Sequence, residues 1–115
     1  MNKKPLFFLV LAVIMITSSV VYILNNKTAK LSKTEINTAI NQASYFYKQK
    51  QQRGESLDDG PCISNALMPG WVADLVHNPR SAIDDLPQNQ CSTYLNGQVV
   101  HIVELDLDGN FVRVK

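Results

Sequence analysis

The first quarter of the chain is continuously apolar, whereas the remainder mixes apolar and polar positions. Residues 5–24 include no charged side chain. A helix of this length, rising about 1.5 Å per residue, spans roughly the 30 Å hydrocarbon core of a bilayer. The pattern predicts a transmembrane helix over residues 5–24, in contact with the lipid bilayer, after a cytoplasmic N-terminus at residues 1–4.

A cleavable signal peptide is the alternative for the same segment. Residues 2–4 would be its basic region, residues 6–16 its apolar region, and the small residues 17–19 its cleavage site. Residues 20–24 extend the apolar run beyond the usual length of a signal peptide, which favours the membrane anchor.

A second, amphipathic helix is predicted within the juxtamembrane segment, residues 25–53. Ser32 and Glu35 have the spacing of a capping box, so the first helical residue is Lys33, and Gly54 is typical of the position after a helix. We expect its apolar face to pack on the sheet of the same chain, the alternative being self-association or a partner helix. That face comprises Ile36, Ala39, Ile40, Ala43 and Tyr47.

Residues 54–115 predict a small head domain, so the chain as a whole is of the α+β class. A short helix is expected over residues 62–68 and a strand over residues 71–76. Asn96-Gly97 favours a type I′ hairpin between strands 91–95 and 98–105, and the turn at 108–110 leads into a last strand. The prediction is a three- to four-stranded antiparallel β-meander.

Two cysteines, Cys62 and Cys91, both lie in the head. A lone pair in a small domain is typical of a disulfide bond formed in an oxidising compartment. Basic residues flank the apolar segment about equally, so the cysteines decide the orientation. We expect a single-pass protein of the cytoplasmic (inner) membrane whose C-terminal domain is periplasmic or extracellular.

Charge is distributed unevenly along the chain. Residues 25–53 carry six basic residues and one acid, whereas residues 54–115 carry three basic residues and nine acids. An acidic head repels phosphates, which argues against nucleic acid as its partner, and we expect none.

Little in the sequence indicates catalysis. His77 and His101 each have a carboxylate three residues away, but such spacing is common by chance, and residues three apart on a strand point to opposite faces. Phosphate loops, nucleophile elbows and zinc motifs are absent from the sequence. We expect no catalytic residue, no metal ligand and no cofactor, the alternative being a small enzyme or metal-binding domain that uses one of the histidines.

The loop of residues 77–91 is the most distinctive polar segment, and it follows the predicted strand that contains Trp71. Loops displayed by a rigid scaffold often carry binding residues. We therefore predict a recognition surface for a protein partner, the alternative being that the polar groups of the loop are used in its own packing. The candidate residues are Trp71, His77, Arg80, Asp84 and Asp85.

An apolar helix, an amphipathic continuation and a disulfide-bonded antiparallel meander together resemble the layout of type IV pilins and pseudopilins. Lys3, Lys4, Phe7 and Phe8 match the basic leader and the phenylalanine of that family, whose glycine and glutamate are missing here. The resemblance implies a subunit that assembles into filaments. The function we expect is a membrane-anchored, extracytoplasmic interaction or structural module, with a pilin-like assembly subunit as the alternative.

Overall fold

The computed structural model describes residues 2–25 and 30–115. The chain divides into two compact units, Met1–Leu31 and Ser32–Lys115. The predicted juxtamembrane segment falls partly at residues 26–29, which lie outside the described residues. The amphipathic helix belongs to the second unit, together with the sheet.

Helix α1, Lys3–Asn25, forms where the uncharged run predicts it. The hydroxyl groups of Thr17, Ser18 and Ser19 donate to carbonyl oxygens of the preceding turn at 2.8–3.0 Å, which satisfies them within the helix. Lys3–Tyr22 is long and apolar enough to cross a membrane, and none of it is buried by the rest of the chain.

A four-stranded sheet forms the centre of the second unit, in the order β1-β2-β3-β4. Its strands are β1 Cys62–Met68, β2 Trp71–Leu75, β3 His101–Leu105 and β4 Phe111–Val114. The two outer pairs are antiparallel, and of these only β3–β4 was expected, whereas β2 and β3 run parallel. The fold is therefore α+β with a mixed sheet, and the purely antiparallel meander is wrong.

The predicted hairpin at Asn96-Gly97 is wrong as well. Residues Ser92–Leu95 form a short helix, α3, instead of a strand. A type I′ turn needs positive φ at both central residues, whereas Asn96 has φ −86° and only Gly97 is positive, at +79°. Asn-Gly here ends a helix, with glycine in the left-handed conformation that commonly follows one. Residues 76–100 therefore cross over between the two parallel central strands, in place of a hairpin.

Strand β1 replaces the short helix predicted over residues 62–68. Ile63 and Leu67, four residues apart, are both buried, and two irregularities interrupt the pairing of β1 with β2. Because residues four apart share a face in a strand as well as in a helix, this apolar spacing does not distinguish the two. Pro69-Gly70 ends the segment as expected, in the turn to β2.

Helix α2, Lys33–Gln52, begins and ends where its caps predict. The Ser32 hydroxyl accepts the Glu35 amide at 3.1 Å, and Gly54 follows the helix with φ +71°. Three residues of the predicted apolar face, Ala39, Ala43 and Tyr47, are buried, and α2 packs against β1 and β3. Packing within the same chain is thus confirmed.

The two faces of strands β2 and β3 pack against different parts of the chain. Trp71 lies on the α2 side, where its indole N–H donates to Glu35 at 3.0 Å. Because side chains alternate along a strand, Val72 and Ile102 point to the opposite face, where they pack with Cys91 of the crossover. The predicted Cys62–Cys91 disulfide is present and ties the crossover to β1.

Asp106 organises the turn between β3 and β4, which includes the turn predicted at residues 108–110. Its carboxylate accepts the backbone amides of Asp108 at 2.9 Å and Asn110 at 2.8 Å. Gly109 in this turn has φ +85° and lies against the ring of Tyr47, whose hydroxyl donates to the Leu107 carbonyl at 2.8 Å. The turn is thereby fastened to α2.

Replacing Gly109 with alanine is expected to destabilise the domain by about 2 to 3 kcal/mol. The added methyl carbon would lie 2.6 Å from Cδ1 of Tyr47, in a backbone conformation that L side chains rarely adopt. Gly97→Ala is the matched control, since its φ is +79° but no atom lies within 4 Å of the new carbon. Denaturant unfolding of both variants should give the larger loss for Gly109→Ala, and equal losses would contradict this packing.

Candidate functional site

Two acids lie side by side in the middle of the sheet. Asp74 of β2 pairs in register with Glu104 of β3, and both side chains lie on the crossover face. They are 3% and 2% exposed, respectively. Acidic residues are seldom buried to this extent unless they are paired with positive charges, so their surroundings decide what this face does.

Glu104 is surrounded by positive charges. Arg113 donates from Nε to Oε2 at 2.6 Å and from Nη2 to Oε1 at 3.3 Å, so that one guanidinium engages both oxygens. Nη1 of Arg80 lies 3.4 Å from Oε1, and Nζ of Lys115 lies 3.7 Å from the same oxygen. The buried carboxylate therefore orients three side chains that are themselves 37–43% exposed.

Arg80 is shared between two carboxylates. Besides Glu104 it contacts Asp85, whose Oδ1 accepts Nε at 3.2 Å and Nη2 at 2.9 Å. Asp85 is 66% exposed, so this second pair lies at the surface. A cleft of about 140 Å³ opens beside it, lined by Val76, His77, Asn78, Arg80, Glu104, Val112 and Arg113.

Asp74, in contrast, lacks a partner for one of its oxygens. Oδ1 is buried without a hydrogen bond within the described residues. Burial, reinforced by the negative charge of Glu104, raises the pKa of Asp74 to about 8. At neutral pH this carboxyl is therefore mostly protonated, and Glu104 is left as the acid that faces the three cations.

His77 and Asp84 form a second polar pair at the edge of the same cleft. Asp84 is buried and accepts the backbone amides of His77 and Ser81 as well as Nδ1 of His77, at 2.8–3.1 Å. The hydrogen bond to Asp84 raises the pKa of His77. Burial raises the pKa of Asp84, but the bonds from Ser81 and His77 outweigh it and hold that pKa below its usual value.

The candidate recognition residues are divided by the fold. His77, Arg80 and Asp85 lie at or beside the cleft, and Asp84 supports them from below the surface. Trp71 is fully buried against α2, on the face of the sheet opposite the cleft. Strand β2, which contains Trp71, is buried on both faces. The sequence analysis did not show this because it assigned the wrong neighbours to β2.

The two histidines lie far apart in the topology. His101 begins β3 and stacks on Trp71, with ring centroids 5.0 Å apart, whereas His77 follows the end of the parallel strand β2. Among the described residues, no three His, Cys, Asp or Glu side chains are grouped to hold a metal ion.

The residues that the sequence analysis missed are Asp74, Glu104, Arg113 and Lys115 as a set. A signal was present, because the segments WVADL and HIVEL each place one acid at the fourth position of an apolar strand. An acid inside an apolar strand indicates a buried charge that needs a partner.

Comparison with family models, curated proteins and solved structures finds no match for the chain.

Proposed function

We propose that the chain is a single-pass membrane protein whose Ser32–Lys115 domain is a non-enzymatic interaction module on the outer side of the cytoplasmic membrane. The observation that carries the proposal is α1, which is long and apolar enough to cross a membrane and has no charged side chain over residues 5–24. A helix of this kind is stable where its surroundings are apolar, as in a bilayer.

The disulfide supports the outer side. Cys62 and Cys91 are bonded in a domain too small to bury a large core, and such bonds persist in oxidising compartments. An interaction role is supported by the cleft at Arg80, where partly exposed charges are held in place by buried ones. Side chains fixed in this way bind with little loss of conformational freedom.

Membrane insertion is tested by washing membranes from cells that express the full chain with carbonate. We expect the chain to be retained. The double variant Leu11→Arg/Ile14→Arg should be released, because two arginines at the centre of a membrane helix cost about 5 to 7 kcal/mol. Gln51→Arg/Gln52→Arg, at the exposed end of α2, adds the same charge outside α1 and should remain bound.

A soluble product that begins near Val20 would overturn the anchor and establish the signal-peptide interpretation. The side of the membrane is tested in the same cells with a thiol-reactive maleimide. Denatured but unreduced protein should not be labelled, and reduction should expose both cysteines. Ready labelling without reduction would place the domain in the cytoplasm.

A pilin-like assembly subunit is the second candidate. It is favoured by the combination of an apolar helix with an amphipathic helix packed on a sheet. In the family pattern the two helices are continuous, whereas Ser32 has extended backbone geometry and caps a helix that begins at Lys33. Recovery of the chain in sheared filaments would support this candidate over the first.

A further inference from the structure

All the lysines and arginines of the head converge on one point. Residues 54–115 contain three of them, against nine acids. All three, Arg80, Arg113 and Lys115, have a nitrogen 3.7 Å or less from the carboxylate of Glu104. The otherwise acidic head, residues 54–115, therefore has one basic patch, assembled from the crossover, β4 and the residue after β4 around a buried acid of β3.

Some hydrogen-bond donors of this basic patch are not used. Glu104, Asp85 and the buried Asp84, whose pKa is held below its usual value, supply three carboxylates to the three cations. Each guanidinium has five N–H donors. Arg113 uses two of them on Glu104, and both arginines line the cleft. N–H donors thus remain for a further acceptor.

Asp85 shows what kind of acceptor fits. Its carboxylate takes two donors of Arg80, yet it is 66% exposed and has no other side-chain partner within the described residues. An exposed pair of this kind is worth only about 0.2 to 1 kcal/mol, so another carboxylate can replace it at little cost. A water occupies about 30 Å³ in the liquid, so a cleft of about 140 Å³ admits a carboxylate with its adjoining methylene.

We propose that the basic patch binds a carboxylate side chain from an acidic segment of a partner protein, which takes the place of Asp85 on Arg80. This inference rests on the proposed function, since it names the partner class of the interaction module. The planar fork of arginine matches a carboxylate with two parallel hydrogen bonds. Val76 and Val112 on the cleft wall supply apolar contact for the methylene groups of the incoming side chain.

The test uses the full chain in phosphatidylcholine nanodiscs, titrated calorimetrically with a tetraglutamate peptide and, as control, with tetraglutamine. Only tetraglutamate should bind, and tetraglutamine should not. Asp85→Asn should raise the affinity for tetraglutamate about two- to fivefold by removing the competitor. Arg80→Gln should lower the affinity about tenfold or more, because a charged hydrogen-bond donor is lost.

Two further variants control for net charge. Asp108→Asn removes an exposed acid from the β3–β4 turn, and Lys48→Gln removes a cation from α2, so both should leave the affinity unchanged. Equal effects of Asp85→Asn and Asp108→Asn, or no binding of tetraglutamate, would overturn the proposal. So would equally tight binding of inorganic phosphate, or binding only when phosphatidylglycerol is added to the discs. Membrane insertion is measured separately by carbonate washing, so its failure is distinguishable from failure here.

Discussion

Replacing Asp74 with asparagine is expected to stabilise the protein, by an amount that grows as the pH rises from about 4 to about 8. Asp74 ionises near 3.8 when exposed and at about 8 in the folded domain, so unfolding between these values releases a proton. Stability therefore falls as the pH rises through this window and levels off above it. The difference between these two pKa values corresponds to on the order of 5 kcal/mol.

Asparagine keeps the size of the side chain, cannot ionise, and offers Glu104 a donor. Urea unfolding of parent and variant from pH 4 to pH 9 should give curves that coincide at the acid end and diverge towards pH 8. The hydrogen bond to Asp84 raises the pKa of His77 in both proteins, so the contribution of His77 drops out of the comparison. Asp85→Asn, which removes an exposed acid, should leave the pH profile unchanged, and parallel curves for Asp74→Asn would refute the burial of a protonated carboxyl.

Removing the disulfide is expected to destabilise the domain by about 3 to 4 kcal/mol. Cys62 and Cys91 are 29 residues apart, and opening a loop of that length returns conformational entropy to the unfolded chain. A small domain has few other constraints that compensate, so the loss is a large fraction of its total stability. The measurement is chemical unfolding of the variant Cys62→Ala/Cys91→Ala beside the parent.

Parent protein kept reduced is the control, because it opens the loop while retaining both sulfur atoms. Cys91 is buried beside Val72 and Ile102, so the alanine variant also loses some packing. Similar losses in the reduced parent and the variant would assign the effect to the loop. Loss in the variant alone would mean that the bond itself contributes little.

Helices α1 and α2 were predictable from the sequence because their signals are local. The uncharged run defines α1, and Ser32 and Gly54 mark both ends of α2 within one turn of the chain. The disulfide was equally predictable, since two cysteines allow a single pairing. Strands β2 and β4 were predictable because each is an apolar run next to turn residues.

Strand pairing was not predictable by the same means. Periodicity indicates that a segment is extended but not which segment lies beside it, and Asn-Gly has one meaning in a hairpin and another after a helix. Assigning residues 91–95 to a strand made the antiparallel meander unavoidable. Once residues 92–95 are a helix, the chain returns to β2 from the other end and the central pair becomes parallel.

The candidate site was predicted only in part for the same reason. Arg80 and Asp85 lie in the distinctive loop and were found there. Glu104 and Arg113 belong to strands β3 and β4, and Lys115 follows β4. The placement of these strands beside the loop depends on the parallel pairing. Long-range pairing thus decides which side chains meet, and it leaves no mark in the local pattern.

The combination of parallel and antiparallel pairing in the sheet also affects how the domain folds. β1–β2 and β3–β4 are two hairpins, each closed by a short turn and so able to form locally. Their union through β2 and β3 must wait until residues 76–100 have looped back, and that closure carries the larger entropic cost. We expect the joining of the hairpins to limit the folding rate, and a disulfide formed early between β1 and the crossover to shorten the search.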